Sequence, residues 1–90
     1  MQKKQYIQSL QELHSEIKKT KVPDPAHSSQ LQDISFNIQE ILDHPGEPPP
    51  ETHSRLMTSL RDAILLFEAS HPTLTGLMNN VIKTLNNIGI

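Results

Sequence analysis

Residues 56–67 read LMTSLRDAILLF, and this stretch indicates the fold class. Its apolar side chains recur every three or four residues, the spacing of an amphipathic α-helix. Four of them form one stripe: Leu56, Leu60, Ala63 and Phe67. Leu65 and Leu66 extend the apolar surface beyond that stripe, and such a helix is expected to touch more than one neighbour. We therefore predict a helix here, at the centre of an all-α core.

Prolines divide the remainder of the chain into three further helical segments. They occur at positions 23 and 25, between positions 45 and 50, and at position 72, and a proline ends or starts a helix because it lacks the backbone N–H. The apolar spacing between these breaks predicts four amphipathic helices, over about residues 3–21, 25–43, 51–70 and 72–88. Asp24 is expected to cap the second helix, with Pro25 in its first turn.

The predicted architecture is a single helical domain, residues 1–90. It comprises an N-terminal hairpin (1–43), a proline-rich linker (44–50) and a C-terminal hairpin (51–90). The first 22 residues carry five lysines and two acids, whereas residues 23–54 carry six acids and no Lys or Arg. A basic helix followed by an acidic one suits an antiparallel hairpin. The sequence leaves open whether the two hairpins pack within one chain or between two.

The helical stripes also predict which side chains form the core. The predicted core residues are Leu10, Leu13, Ile17, Leu31, Ile34, Ile38, Ile41, Leu56, Leu60, Ile64, Phe67, Leu74, Met78, Val81, Leu85 and Ile88. Three large apolar residues fall outside these stripes or widen them: Phe36, Leu65 and Leu66. Phe36 lies about 200° around the helix from Ile34. We interpret these three as candidates for an interface.

Composition excludes several kinds of site. The 90 residues include no cysteine, so thiolate metal sites and disulfides are ruled out. The longest apolar run, residues 63–67, is far shorter than the roughly 20 residues of a membrane span. No apolar segment follows the first lysines, so no secretory signal is expected. A net charge of -2 argues against nucleic-acid binding.

No residue pattern points to catalysis, a cofactor or a metal. The histidines are His14, His27, His44, His53 and His71. None is paired with another at the four-residue spacing that a helical metal site uses. The three glycines form no phosphate-binding loop. We therefore predict no catalytic, cofactor-binding or metal-ligating residues.

The C-terminal half resembles a known but uncharacterised family. The corner Phe67-Glu68-Ala69-Ser70-His71-Pro72-Thr73-Leu74 and the ending Leu85-Asn86-Asn87-Ile88-Gly89-Ile90 are similar to those of small bacterial helical proteins catalogued as a domain of unknown function. The closest similarity spans about residues 55–90, and the first half matches only in pattern. The resemblance implies a bacterial, cytoplasmic protein and supplies no activity, ligand or catalytic residue.

These observations favour a non-enzymatic helical module that binds a second copy of itself or another protein. Two alternatives remain open. One is a monomeric bundle that senses a small molecule or a metal through histidines near the linker. The other is a peripheral binder of anionic surfaces, and its candidate residues are Lys3, Lys4, Lys18, Lys19 and Lys21.

Overall fold

In the part of the chain that it describes, the structure, a computed structural model, contains four α-helices. They are α1 (Gln2–Lys19), α2 (Pro25–Asp43), α3 (Pro50–Phe67) and α4 (Pro72–Ile88). The structure describes residues 2–44 and 50–88, with the side chains of residues 4–44 and 51–87. Over these residues it contains helices and turns and no strand. The prediction of an all-α fold is confirmed.

Some predictions lie outside the described residues. They concern the linker prolines between residues 45 and 49, the side chain of Ile88 and the ending at Gly89 and Ile90. Within the described residues, no helix is both long enough and apolar enough to cross a membrane.

Asp24 starts α2 as predicted. Its Oδ1 accepts hydrogen bonds from the backbone N–H groups of Ala26, at 2.8 Å, and His27, at 3.4 Å. Pro25 occupies the first turn, where its missing N–H leaves no intrahelical bond unmade. The N-cap predicted from the sequence is therefore confirmed.

Two helices end earlier than predicted because local hydrogen bonds close their last turns. α1 stops at Lys19 rather than at residue 21. At the next residue, the Thr20 N–H donates to the Glu16 and Ile17 carbonyls at 3.0 and 3.1 Å. α3 stops at Phe67 rather than at residue 70, and the His71 N–H donates to the Phe67 carbonyl at 2.7 Å. Both endings lie within the few residues before a proline.

The four helices pack in a ring, in which each contacts two others. The α1–α4 contact is the most extensive, followed by α2–α3 and α3–α4, and α1–α2 is the least extensive. The connections within each hairpin are short, so sequential helices run antiparallel. The bundle measures 35 × 20 × 19 Å. The basic α1 thus packs mainly on α4 rather than on the acidic α2, because buried apolar area outweighs attraction between exposed charges.

Each helix contributes four buried apolar residues to a shared core. They are Tyr6, Leu10, Leu13 and Ile17; Leu31, Ile34, Ile38 and Ile41; Leu56, Leu60, Ala63 and Phe67; and Leu74, Met78, Val81 and Leu85. This equal contribution corrects the expectation that α3 forms the centre of the core. Since each helix has two neighbours, none is more central than the others.

Ile64 requires a correction, because it is only partly buried. Ala63, the preceding residue, takes the core position at that level of α3. Successive residues are rotated by about 100° around a helix, so Ile64 packs against the margin of the core.

Candidate functional site

The three candidate interface residues are all exposed, on two neighbouring helices. Phe36 on α2 is 68% exposed, and Leu65 and Leu66 on α3 are 77% and 44% exposed. Phe36 and Leu65 lie nearly opposite the buried stripes of their helices. Leu66 lies at the flank of the α3 stripe, which accounts for its smaller exposure.

These side chains do not form one continuous patch. His27, near the start of α2, packs edge-on against Phe67, the last residue of α3, with ring centroids 5.4 Å apart. Leu65 and Leu66 therefore lie close to that end of the bundle. Phe36 lies nine residues after His27, about 13 Å further along the axis. The structure thus presents two separate apolar spots.

A buried polar cluster, not predicted from the sequence, lies at the opposite end of the bundle. The Tyr6 hydroxyl on α1 and His53 Nδ1 on α3 are 2.9 Å apart, and the two residues are 2% and 6% exposed. α1 and α3 lie diagonally across the ring, so this bond joins two helices that are not neighbours. Tyr6 falls in the α1 apolar stripe, so its spacing alone does not distinguish a polar partner from ordinary core packing.

A second pair of buried hydroxyls joins α1 to α4. Ser9 Oγ and Thr84 Oγ1 are 3.0 Å apart, and each also lies within hydrogen-bond distance of a backbone carbonyl of its own helix, of Tyr6 and Val81 respectively. The Ser9 and Thr84 hydroxyls thus have two protons between them for three hydrogen-bond contacts: the contact with each other and one contact with each carbonyl. Beside this pair lies a groove of about 380 Å³ between α1 and α4. Its lining is mostly polar: Gln5, Gln8, Ser9, Glu12, Asn80, Lys83, Thr84 and Asn87.

Protonation in the Tyr6–His53 pair follows from its burial. Burial lowers the pKa of the His53 imidazole and raises the pKa of the Tyr6 hydroxyl well above its usual range. A neutral imidazole accepts at one ring nitrogen and donates at the other. The Tyr6 hydroxyl and His53 Nδ1 therefore share one hydrogen bond between two neutral groups, and the tautomer of the ring decides which of them donates. The Tyr6 hydroxyl lies in the interior of the bundle, so its hydrogen bond with His53 holds α1 to α3.

We expect Tyr6→Phe to reduce the free energy of unfolding by about 1–3 kcal/mol, because buried His53 Nδ1 then loses its hydrogen-bond partner. The core shape is otherwise kept, since only the hydroxyl is removed. Urea unfolding at pH 7.5 measures the change. A matched control is Ser15→Ala, which removes an exposed hydroxyl from the same helix and should change stability by less than about 0.5 kcal/mol. Equal effects of the two substitutions would contradict a structural role for this hydrogen bond.

The histidines also predict a pH dependence of stability. The unfolded chain binds protons at His53 near pH 6.5, whereas the folded chain does so only at lower pH, because burial lowers the His53 pKa. The His53 contribution to stability is therefore complete above about pH 6.5 and is lost as the pH falls through the folded-state pKa. His14 should also make the folded chain less stable as the pH falls. Its pKa is lowered by burial and, to a smaller extent, by the positive charge of Lys18.

Urea unfolding of the wild type should accordingly show a lower free energy at pH 5.5 than at pH 7.5. His53→Asn keeps an acceptor for Tyr6 and removes the titrating ring, so the loss should be smaller in this variant. His44→Asn is the control, because the His44 side chain is exposed at the end of α2. The prediction fails if His53→Asn retains the full pH dependence of the wild type.

The remaining histidines and the lysines are distributed over the bundle. His27 and His71 both pack against Phe67, with centroid distances of 5.4 and 5.9 Å. Among the described residues, no group of three or more His, Asp or Glu side chains is arranged to hold a metal ion. Lys4 and Lys18 are exposed near opposite ends of α1, about 21 Å apart along its axis.

A comparison with models of protein families identifies the family of this chain. A family model described as a domain of unknown function, DUF4404, matches residues 7–90. The chain belongs to the DUF4404 family. The match includes α1 from residue 7 onward and all of α2, so the similarity extends beyond residues 55–90, where the resemblance was the most specific. No curated protein and no solved structure matches the chain.

Proposed function

We propose that this DUF4404 chain is a non-enzymatic helical module that acts by binding another polypeptide, either a second copy of itself or a different protein. The observation that carries the proposal is the exposure of three large apolar side chains, Phe36, Leu65 and Leu66, on a small bundle. Full burial of such a side chain contributes about 1.5–3 kcal/mol. Burial of these residues against a partner would therefore stabilise the complex.

Among residues 2–44 and 50–88, no helix is left over to cover these three side chains. In the described part of the chain, each helix already packs against two others. Phe36 and Leu65 lie on the outward faces of α2 and α3. The bundle core is complete without them, which supports a role in binding rather than in folding.

The non-enzymatic part of the proposal is supported by the position of the titratable groups. Tyr6 and His53, the hydrogen-bonded pair, are buried in the bundle. The groove between α1 and α4 is lined by one acid, one lysine, amides and hydroxyls. The sensor alternative receives less support, because the histidines lie at both ends of the bundle. The anionic-surface alternative receives less support, because exposed Lys4 lies at the opposite end of α1 from exposed Lys18, Lys19 and Lys21, so these lysines do not form one patch. The cytoplasmic location implied by the family resemblance is part of this proposal.

Site-specific photo-crosslinking in the cells that make the protein tests the proposal. A photoreactive phenylalanine analogue would replace Phe36, Leu65 or Leu66 in turn, with exposed Asn80 on α4 as the matched control position. We expect covalent adducts with a protein from at least one of the apolar positions and none from Asn80. An adduct of twice the chain mass identifies a second copy, and any other mass identifies a different protein. The absence of adducts from all three apolar positions would contradict the proposed function.

A further inference from the structure

We infer that the polypeptide bound at Phe36 is a basic amphipathic segment of a different protein, an inference that rests on the proposed function. The docking surface is the outward ridge of α2, formed by Asp33, Phe36, Glu40 and Asp43. An apolar side chain of the partner covers Phe36, and Lys or Arg side chains beside it meet the three carboxylates. The inference thus names the chemistry of the partner, which the proposed function leaves open.

The three acids of this ridge lie close to Phe36 on one face of α2. Asp33 precedes Phe36 by three residues, whereas Glu40 and Asp43 follow it by four and seven. Residues at these spacings lie within about 60° of Phe36 around the helix. Phe36 is 68% exposed, and Asp33 and Asp43 are exposed as well. The ridge therefore presents an apolar centre with carboxylates on both sides of it along the helix.

No basic residue of α2 balances these acids. The helix carries three acids and no Lys or Arg, and residues 23–54 as a whole carry six acids and no Lys or Arg. Asp43 lies in the last turn of α2, where the helix dipole adds further negative charge. Opposite charges attract a partner and like charges exclude one. The charge of the ridge therefore favours a cationic partner.

The carboxylate of Glu40 has one oxygen without a hydrogen-bond partner. Glu40 is partly buried, and its Oε2 atom is shielded from solvent and unbonded among the described residues. A shielded acceptor that lacks a donor is unfavourable. If the side chain rotates outward, both oxygens can accept charge-assisted hydrogen bonds from an ammonium or guanidinium group of the partner. This observation concerns a missing hydrogen bond, so it is independent of the number of acids.

A second copy of this chain offers no surface that is both basic and apolar. Among the described residues, the exposed large apolar side chains lie on α2 and α3 only, so the exposed lysines of α1 have none on their own helix. On α3, Leu65 lies within one turn of Arg61 but also of Asp62 and Glu68. The basic and the apolar features of the chain are thus separated, and a different protein fits the ridge better.

Titration with a synthetic peptide tests the chemistry of the partner. The probe is a peptide of about 12 residues with Lys and Leu at amphipathic spacing, about 18 Å long as a helix, which is similar to the length of the ridge. One comparison peptide has Glu in place of each Lys, and the other has Ser in place of each Leu. NMR spectra of the isotope-labelled full chain report both the affinity and the place of binding.

We expect the Lys/Leu peptide to shift the amide signals around Phe36 and to bind about tenfold or more tightly than either comparison peptide. Absence of binding up to about 1 mM would overturn the inference. Equal affinity for the Lys/Leu peptide and either comparison peptide would overturn it as well, and so would shifts centred on Leu65.

Matched variants test the residues of the ridge. Phe36→Ala should weaken binding of the Lys/Leu peptide by about tenfold or more, whereas Leu65→Ala, which removes an exposed side chain of α3, should leave it unchanged. Glu40→Gln should weaken binding by about two- to fivefold. Its control is Glu12→Gln, which removes the same charge from an exposed position of α1. Circular dichroism shows that each variant is folded, and equal effects within either pair would overturn the inference.

The failure of this inference is distinguishable from the failure of the proposed function. If the Lys/Leu peptide does not bind but a photoreactive residue at position 36 forms adducts with a protein, the basic partner is overturned and the binding function is retained. An adduct of twice the chain mass from this position overturns the different protein and also retains the function. Absence of peptide binding together with absence of adducts from every apolar position overturns both.

Discussion

Phe67→Ala is expected to reduce the free energy of unfolding by about 3–5 kcal/mol, because it leaves a large cavity in the core. Phe67 is fully buried at the end of α3. Its ring also packs against His27 of α2 and against His71, the residue before α4. The substitution therefore removes packing between α3, α2 and the turn that precedes α4. Thermal unfolding should show a midpoint roughly 12 °C or more below that of the wild type.

The control is the same substitution at the exposed phenylalanine. Phe36→Ala should change the free energy of unfolding of the monomer by no more than about 0.5 kcal/mol. Measurements at low protein concentration separate this effect from any loss of dimer. If Phe67→Ala does not fold, Phe67→Leu keeps most of the apolar volume and should give a smaller, measurable loss. Equal losses for the two alanine variants would contradict the placement of the core.

Leu10→Ala on α1 and Leu60→Ala on α3 are each expected to reduce the free energy of unfolding by about 2–5 kcal/mol. Both side chains are fully buried, and each helix contributes four residues to the core. The sequence pattern alone predicts a larger loss on α3, the most apolar segment. The ring arrangement predicts similar losses on both helices, since each has two neighbours.

Urea unfolding of the two variants distinguishes these expectations. The matched control is Leu65→Ala, which removes an exposed leucine from the same helix as Leu60 and should be nearly neutral. If Leu60→Ala lowers the free energy of unfolding by about 2–5 kcal/mol and Leu10→Ala leaves it unchanged, α3 dominates the core. That result would contradict the shared-core arrangement.

Much of the fold is predictable from local patterns. The four-three spacing of Leu10, Leu13 and Ile17 identifies the buried stripe of α1 without any knowledge of its neighbours. Asp24 and Pro25 together fix the start of α2, because the cap is a hydrogen bond between residues two positions apart. The ends of α1 and α3 were less predictable, since bonds around Thr20 and His71 stop each helix before its proline.

The candidate site was only partly predictable. Phe36 stands out from its position opposite the α2 stripe, and the structure places it in solvent. Leu65 and Phe36 are revealed as separate spots only once α2 and α3 are placed side by side. The Tyr6–His53 bond joins residues 47 positions apart, and no local spacing indicates such a pair.

The amino-acid sequence by itself determined the number of helices, their inward faces and the separation of basic from acidic charge, because helical periodicity, proline breaks and composition act within a few residues of each other. Only the tertiary structure decided that α1 packs mainly on α4, that Ile64 lies at the margin of the core, and that Tyr6 meets His53. The physical reason is that these outcomes depend on how four apolar stripes share one interior. Each stripe can bury itself against any of the others, and only the packing of all four together selects among them.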